Sequence, residues 1–352
     1  MRTAALALVA LAVTAAPSSG ARTAAAPTLQ QLVGQHLLIR MQGSAPSAAL
    51  LARIRRGEVG GIVLFQTNIP RTGVQVLVAK LQSAARAGGQ PPLLIAIDQE
   101  GGIVKRLPGP PTVAPSAMTS NSTAFAQGVA TGRYLRQLGI GLDLAPVLDV
   151  PSSAKAFILP RAFSGSASMV SARGVSFAKG LVHGGAAATA KHFPGLGRLG
   201  RSTDDGTGRV DASRAELDRD LTPFRAAVRA GIPAVMVGTA IYRAYDSRLP
   251  AACSPAIVTG LLRQRLGFHG VILSDDLDTA GVWSSLPTGR AVVDAVRAGV
   301  DMVYVAGVHG SPTVSGDAYS ALLQAAREGL VSTAQLQASY DRVVQLKQRY
   351  QP

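Results

Sequence analysis

The residues of this chain best equipped for chemistry fall at the ends of apolar runs. Lys191 and His192 stand side by side after the run AAATA, with Pro194 and Gly195 close behind in KHFPGLG. A buried strand from Ala186 to Ala190 would deliver a cation and an imidazole together, and the Pro-Gly pair would then break it. Such a pair suits the floor of a polar ligand pocket; a basic strand end that merely meets solvent is the competing reading. Other apolar runs end in the same manner. Asp98 closes PLLIAI, Asp143 and Asp149 flank the run DLAPVLDV, and Asp275 with Asp276 closes HGVILS. Each carboxylate alone reads equally as a strand cap or half of a buried ion pair. Their joint meaning depends on whether the fold gathers those strand ends.

The elements answer that question. After a linker ending near Pro27, the strand candidates are GQHLLIRM, GGIVLF, PLLIAIDQEGG, IGLDLAPVLDV, AAATAKHFPG, AVMVGTAIY, HGVILSDDL and DMVYVAG. Helical patterns alternate with them: SAALLARIRRG, about Gly73 to Arg86, AFAQGVATGRYLRQLG, Ser166 to His183, AELDRDLTPFRAAVRAG, PAIVTGLLRQRLG and RAVVDAVRAG, then two amphipathic helices to the end. Continuously apolar strands are those of a parallel sheet covered by helices. Eight such units over roughly 300 residues predict a single (β/α)8 TIM barrel, one domain spanning residues 28–352. No glycine-rich phosphate loop follows the first strand, which weighs against an open doubly wound sheet. In a barrel the C-terminal strand ends converge on one mouth, so these carboxylates and cations would line a single polar pocket.

Composition narrows the class. The chain has 352 residues, 47% hydrophobic and only 5% aromatic, so Ala, Val, Leu and Ile must build the interior. Residues 1–27 place Arg2 before an apolar run from about Ala4 to Ala16, then small residues with Pro and Ser. That order reads as a signal peptide, because the run is shorter than the roughly 20 residues a bilayer span needs. Export follows, with no membrane span. Cys253 is the only cysteine, which excludes an intrachain disulfide, a lipidated leader cysteine and a thiolate metal site. The formal charge is +15, but the basic residues are scattered singly, so nucleic acid is not the expected partner. Diffuse contact with an anionic wall polymer and a merely solubilising surface both fit that charge. The chain is read as a monomer.

Six stretches in order, AIDQEGGIVKRL, DLAPVLDV, the segment around Arg161-Ala162-Phe163-Ser164, AKHFPGLG, MVGTAIYRAYD and GVILSDDLDTAG, carry a family likeness from about Gln31 to Leu346. The chain resembles the single-domain bacterial β-N-acetylglucosaminidases (β-N-acetylhexosaminidases) of glycoside hydrolase family 3. The resemblance implies the same barrel, a carbohydrate substrate and no cofactor, because carboxylates perform the chemistry. It implies that Asp275 is the nucleophile, an ionised carboxylate beneath the anomeric carbon as a retaining mechanism needs. Asp276 would orient its neighbour or a backbone amide. Asp98 matches the family's sugar-binding carboxylate, and Arg161, Lys191 and His192 match positions that donate to sugar hydroxyls. Arg106 is a further candidate, and Met236 and Tyr242 are candidates for the pocket floor that read equally as core.

The chain also departs from the family. Active members carry an Asp-Ser-His triplet in the loop after KHFPG, its His serving as acid/base and its Asp orienting that His. Here the register reads Ser202-Thr203-Asp204, and Leu196 replaces the histidine that usually follows KHFPG. Asp204 or Asp205 could serve as a carboxylic acid. Raising a carboxyl from about 3.9 to about 7 takes on the order of 4 kcal/mol of environmental bias. Arg198, Arg201 and Arg209 flank the loop and would oppose that rise, while a neighbouring carboxylate and burial would favour it. A turn-capping role for Asp204 and Asp205 is the bland alternative. Three readings follow: an exported retaining exo-glycosidase acting on terminal β-N-acetylglucosamine of cell-wall fragments; a catalytically weakened glycan-binding barrel; and a hydrolase of another β-glycoside, such as a β-glucoside.

Overall fold

The computed structural model describes residues 26–352 apart from 72, 285 and 308–312, so the apolar run of the signal-peptide reading lies outside the described residues. Eight parallel strands close on one another in sequence order. They are β1 (Leu37–Arg40), β2 (Gly61–Leu64), β3 (Leu94–Ile97), β4 (Leu142–Asp143), β5 (Ala187–Phe193), β6 (Ala234–Val237), β7 (Val271–Asp276) and β8 (Met302–Val305). The seam closes where Leu37 pairs with Val303 and Leu38 with Gly61. This is the single (β/α)8 barrel expected from the alternation of apolar runs.

The apolar strands are continuous because both faces are buried. Leu38, Val63, Leu94, Ala96, Leu142, Ala187, Ala234, Val271, Leu273 and Met302 pack together inside the barrel. Their neighbours Leu37, Ile39, Ile62, Leu64, Ile95, Ile97, Val235, Ile272, Val303 and Val305 pack outward against the helices. Each fully buried aliphatic side chain stabilises the fold by roughly 1.5–3 kcal/mol. Small residues let a barrel with few aromatics close. A Cβ on Gly61, for example, would lie 2.8 Å from both Leu38 Cδ1 and the Leu94 carbonyl oxygen.

Two strands depart from regular pairing, and both carry the polar residues. Between β5 and β6 the register slips between Ala190 and Phe193, and between β7 and β8 it slips between Leu273 and Asp276. A bulge re-aims side chains that strict alternation would send to opposite faces. It gives consecutive residues, Lys191 with His192 and Asp275 with Asp276, access to the same cavity.

Serine caps set several helix starts. Ser47, Ser120, Ser166 and Ser332 each accept a backbone N–H in the first turn of α2 (Ala48–Arg55), α4 (Asn121–Gln137), α5 (Ala167–Gly184) and α11 (Thr333–Tyr350). The remaining numbered helices are α1 (Leu29–Gln35), α3 (Val74–Ala87), α6 (Arg214–Asp220), α7 (Thr222–Arg229), α8 (Ala280–Trp283), α9 (Thr288–Ala298) and α10 (Val314–Arg327). Three sequence expectations are corrected. The helix read through AELDRDLTPFRAAVRAG is two helices, α6 and α7, because Pro223 can begin a helix but cannot donate inside one. PAIVTGLLRQRLG is wound wider than an α-helix over Ala256–Arg265, and Leu266 N donates to Leu261 O at 3.0 Å, five residues back. The run DLAPVLDV pairs as a strand only over Leu142–Asp143; beyond Pro146, Val147 makes a single bridge to Lys191. Among the described residues no helix is long and apolar enough to cross a membrane.

Candidate active site

The C-terminal mouth of the barrel holds a cavity of about 300 Å³, lined by Phe65, Asp98, Arg106, Arg161, Lys191, His192, Asp204, Met236, Asp275, Asp276 and Tyr304, among others. Of the residues singled out from the sequence, Asp98, Arg106, Arg161, Lys191, His192, Asp204, Met236 and Asp275 are in that lining. Asp143 and Asp149 are not; both are fully buried beneath it. Of the two readings left open for Tyr242 the structure gives core: it is buried, and its hydroxyl donates to the Gly195 carbonyl at 2.7 Å, fixing the turn that ends β5.

One wall is an ionic knot. Lys191 Nζ lies 2.7 Å from Asp98 Oδ1 and 2.7 Å from Glu100 Oε1. Arg161 grips Glu100 with two bonds, Nε to Oε2 at 2.9 Å and Nη2 to Oε1 at 2.7 Å. Arg106 Nη2 reaches Asp98 Oδ2 at 3.5 Å. Burial pushes the Asp98 carboxyl up, but the Lys191, Arg106 and Arg161 charges outweigh it and hold the pKa at about 2. Burial likewise pushes the Lys191 ammonium down and is outweighed by Asp98 and Glu100, so its pKa is raised. Asp98 therefore stays an acceptor and Lys191 a donor across the ordinary pH range. The Asp98 side chain keeps 14% of its surface exposed against 1% for Glu100, so Asp98 can meet a ligand while Glu100 anchors the two cations.

The second wall is His192. Its Nδ1 lies 2.7 Å from Asp149 Oδ2, and Asp149 Oδ1 accepts the Leu196 N–H at 2.6 Å. The carboxylate holds the Nδ1 side of the ring and turns Nε2 the other way, 3.5 Å from Arg161 Nη2.

Opposite stand the carboxyls of β7. Asp276 accepts backbone N–H groups from Asp278 (2.9 Å) and Ala306 (3.0 Å), and burial raises its pKa to about 7. It ties β7 to the end of β8. Asp275 accepts the Asp276 N–H at 2.9 Å and otherwise faces the cavity. Asp204 lines the same cavity from the loop after β5, its outer side in solvent and its N–H given to Ser202 Oγ at 3.2 Å. Burial, then the Asp275 charge, push its pKa up, against opposing contributions from Ser202, His192 and Arg161. The arginines that flank the loop have partners or solvent of their own. Arg198 is held by Asp220 (2.6 Å) and Glu216 (3.3 Å), Arg201 donates to the Asp205 carbonyl (2.6 Å), and Arg209 is exposed outside the lining. Asp205 is exposed and also outside the lining.

Sequence reasoning missed Glu100, Phe65 and Tyr304. Glu100 follows Asp98 by two positions, the strand spacing that puts both on one face. Phe65 carries Arg40 and Arg106 over its ring, guanidinium carbons 4.5 and 5.1 Å from the centroid, which steadies Arg106 at the cavity wall. Tyr304 follows inward-facing Met302 by two on β8.

A sugar-sized cavity with a permanently ionised carboxylate, several fixed donors and a facing pair of carboxyls defines the class: a (β/α)8 enzyme that cleaves glycosidic bonds. Residues 28–346 match the family described as "Glycosyl hydrolase family 3 N terminal domain". An uncharacterized secreted glycosyl hydrolase of Arthroderma benhamiae is 32% identical over 329 residues, 90% of this chain and 92% of its own length. The structure of a family 3 β-N-acetylglucosaminidase from Paenibacillus sp. str. FPU-7 superposes with a TM-score of 0.88 at 35% identity, over 92% of this chain and 63% of that one. A β-N-acetylhexosaminidase from Beutenbergia cavernae gives 0.83 at 32% identity, over 92% and 99%. The chain thus spans less than two thirds of the Paenibacillus protein and nearly all of the Beutenbergia one. The chain belongs to glycosyl hydrolase family 3 and is a glycoside hydrolase.

Proposed function

We propose that this protein is an exported, retaining exo-glycosidase that releases terminal β-linked N-acetylglucosamine, with Asp275 as nucleophile and Asp204 as acid/base. The observation that carries the reading is the sharing of one cavity by Asp204 and Asp275, with the charge of Asp275 helping to raise the Asp204 pKa. A carboxyl whose pKa is raised beside a second carboxylate is suited to keep its proton and give it to the leaving oxygen. Asp275 attacks the anomeric carbon, the bond to the leaving oxygen breaks, and Asp204 gives that oxygen its proton. Water then attacks the glycosyl ester as Asp204 takes its proton back. Asp98, Arg106, Arg161, Lys191 and His192 hold the sugar hydroxyls. Two neighbours named for N-acetylglucosamine or N-acetylhexosamine chemistry support the substrate, and the secreted relative with the Arg2-led apolar leader supports export.

The test compares dinitrophenyl and alkyl β-N-acetylglucosaminides by kcat/KM, which reports formation of the glycosyl-enzyme. The wild type turns over both. Asp275→Asn loses both and is not labelled by a fluorinated N-acetylglucosaminyl trap. Asp204→Asn loses roughly 10²–10⁴-fold on the alkyl substrate, the usual contribution of a general acid, and far less on the activated one. Equal losses on both substrates would remove Asp204 from the role. A wild type that binds N-acetylglucosamine and turns over neither substrate would make this a glycan-binding barrel, and turnover of β-glucosides alone would change the sugar.

A further inference from the structure

Asp204 sits on a loop, and a loop holds a proton donor only where something fixes it. The loop's support comes from the segment that follows the nucleophile. A Cβ added to Gly281, in α8, would lie 2.3 Å from the Thr203 carbonyl oxygen and 2.8 Å from that of Gly206. The backbone on both sides of Asp204 therefore rests directly on the Gly281 Cα. Thr207 Oγ1 lies 3.2 Å and Ser284 Oγ 3.0 Å from the Gly281 carbonyl oxygen, and the two hydroxyls also pair with each other, so two protons serve three contacts. Thr203 and Gly208 are buried, so the loop is closed at both ends of this contact.

We propose that Gly281 and Thr207 are positioning residues that clamp the Asp204 loop onto α8 and thereby set the acid beside the nucleophile. The proposal rests on Asp204 being the acid/base. Its physical content is that one short stretch, from Asp275 to Gly281, carries the nucleophile at one end and the seat of its partner at the other. The two carboxyls keep their spacing even though one lies on a loop. Only glycine fits the seat, because any side chain there meets two backbone carbonyls, and backbone cannot rotate aside as a flexible side chain would.

The experiment measures kcat/KM for dinitrophenyl and alkyl β-N-acetylglucosaminides with Gly281→Ala, Thr207→Val and Thr207→Ser, beside Asp204→Asn. A misplacement near 1 Å costs up to roughly 10²-fold in a step that depends on the displaced group. Gly281→Ala is expected to lose 10- to 100-fold on the alkyl substrate and no more than about threefold on the activated one, as expected for an acid displaced with the nucleophile untouched. Thr207→Val is expected to lose about three- to tenfold with the same selectivity, and Thr207→Ser, which keeps the hydroxyl, to restore it. The threonine pair carries the test if Gly281→Ala does not fold. Equal losses on both substrates, or a Thr207→Ser variant as impaired as Thr207→Val, would overturn the clamp. If Asp204→Asn itself shows no leaving-group selectivity, the acid assignment falls first and the clamp with it. Selectivity in Asp204→Asn but not in Gly281→Ala would remove the clamp alone.

Discussion

At the scale of single residues, the site works by giving similar carboxyls opposite environments. Asp98 faces three cations and is held at about 2, whereas Asp204, partly withdrawn from solvent at the cavity wall and beside another carboxylate, is pushed up. With Asp204 as the proposed acid, activity on poor leaving groups should fall as pH rises through its raised pKa. Under the proposed mechanism the same coupling would also serve the second half of the reaction. When Asp275 becomes a glycosyl ester its negative charge is gone, so the Asp204 pKa should drop and the group should become a base when one is needed. Carbon NMR titration of aspartate-labelled enzyme, with Asp204→Asn to assign the signal, should show a lower Asp204 pKa after trapping with a fluorinated sugar. An unchanged value would mean that burial alone holds it up. How much of this was legible in the sequence follows from the pleat. Asp98, Lys191 and Asp275 end apolar runs and could be read directly. Glu100 and Tyr304 were within reach of a two-residue count and were passed over. The Asp149 support of His192 joins residues 43 apart, and no local pattern announces it.

At the scale of elements, α4 and α5 pack backbone against backbone. Gly128 and Gly132 on one helix face Gly180 and Gly184 on the other, and a Cβ on Gly128 would lie 2.2 Å from the Phe177 carbonyl oxygen. Replacing glycine by alanine inside a helix ordinarily gains about 1 kcal/mol. Here that gain is outweighed, because overpacking against backbone costs roughly 1–3 kcal/mol or more. Gly128→Ala should therefore lower the melting temperature by several degrees and leave kcat/KM within about twofold, the contact being on the outer wall; an unchanged or raised melting temperature would show that the helices can part. Element order was readable because continuous apolar runs and serine caps are local signals. The break between α6 and α7 needed attention to Pro223, and the wide helix over Ala256–Arg265 has no residue that signals it. The bulges in β5 and β7 were hidden for a different reason. They are properties of pairing between strands, and those are the positions where two consecutive residues reach the same cavity.

At the scale of the whole molecule, the chemistry sits at one end of the barrel and a cost in stability sits at the other. Lys347 in α11 is fully buried, its ammonium bonded to Gln35 Oε1, and burial pushes its pKa down to about 7. His36 beside Gln35 is also buried, its Nδ1 against the Leu32 carbonyl at 2.9 Å, and burial lowers its pKa too. Both bases are more easily protonated in the unfolded chain than in the folded one. Stability must then rise with pH between the folded and unfolded values, for Lys347 from about 7 to about 10.4. Below that window the folded barrel carries the full penalty. Lys347→Met removes the penalty but leaves Gln35 Oε1 without its donor, a loss of about 1–3 kcal/mol that is the same at every pH. The informative quantity is therefore the change in the variant's relative stability between pH 7 and pH 10. Relative to the wild type, Lys347→Met should be better by on the order of 2 kcal/mol at pH 7 than at pH 10, a figure below the full shift because relaxation and water soften buried charges. Chemical denaturation of both proteins at the two pH values reads it directly. A stability difference that does not change with pH would mean that Lys347 keeps an ordinary pKa in the folded barrel, its charge solvated despite its depth.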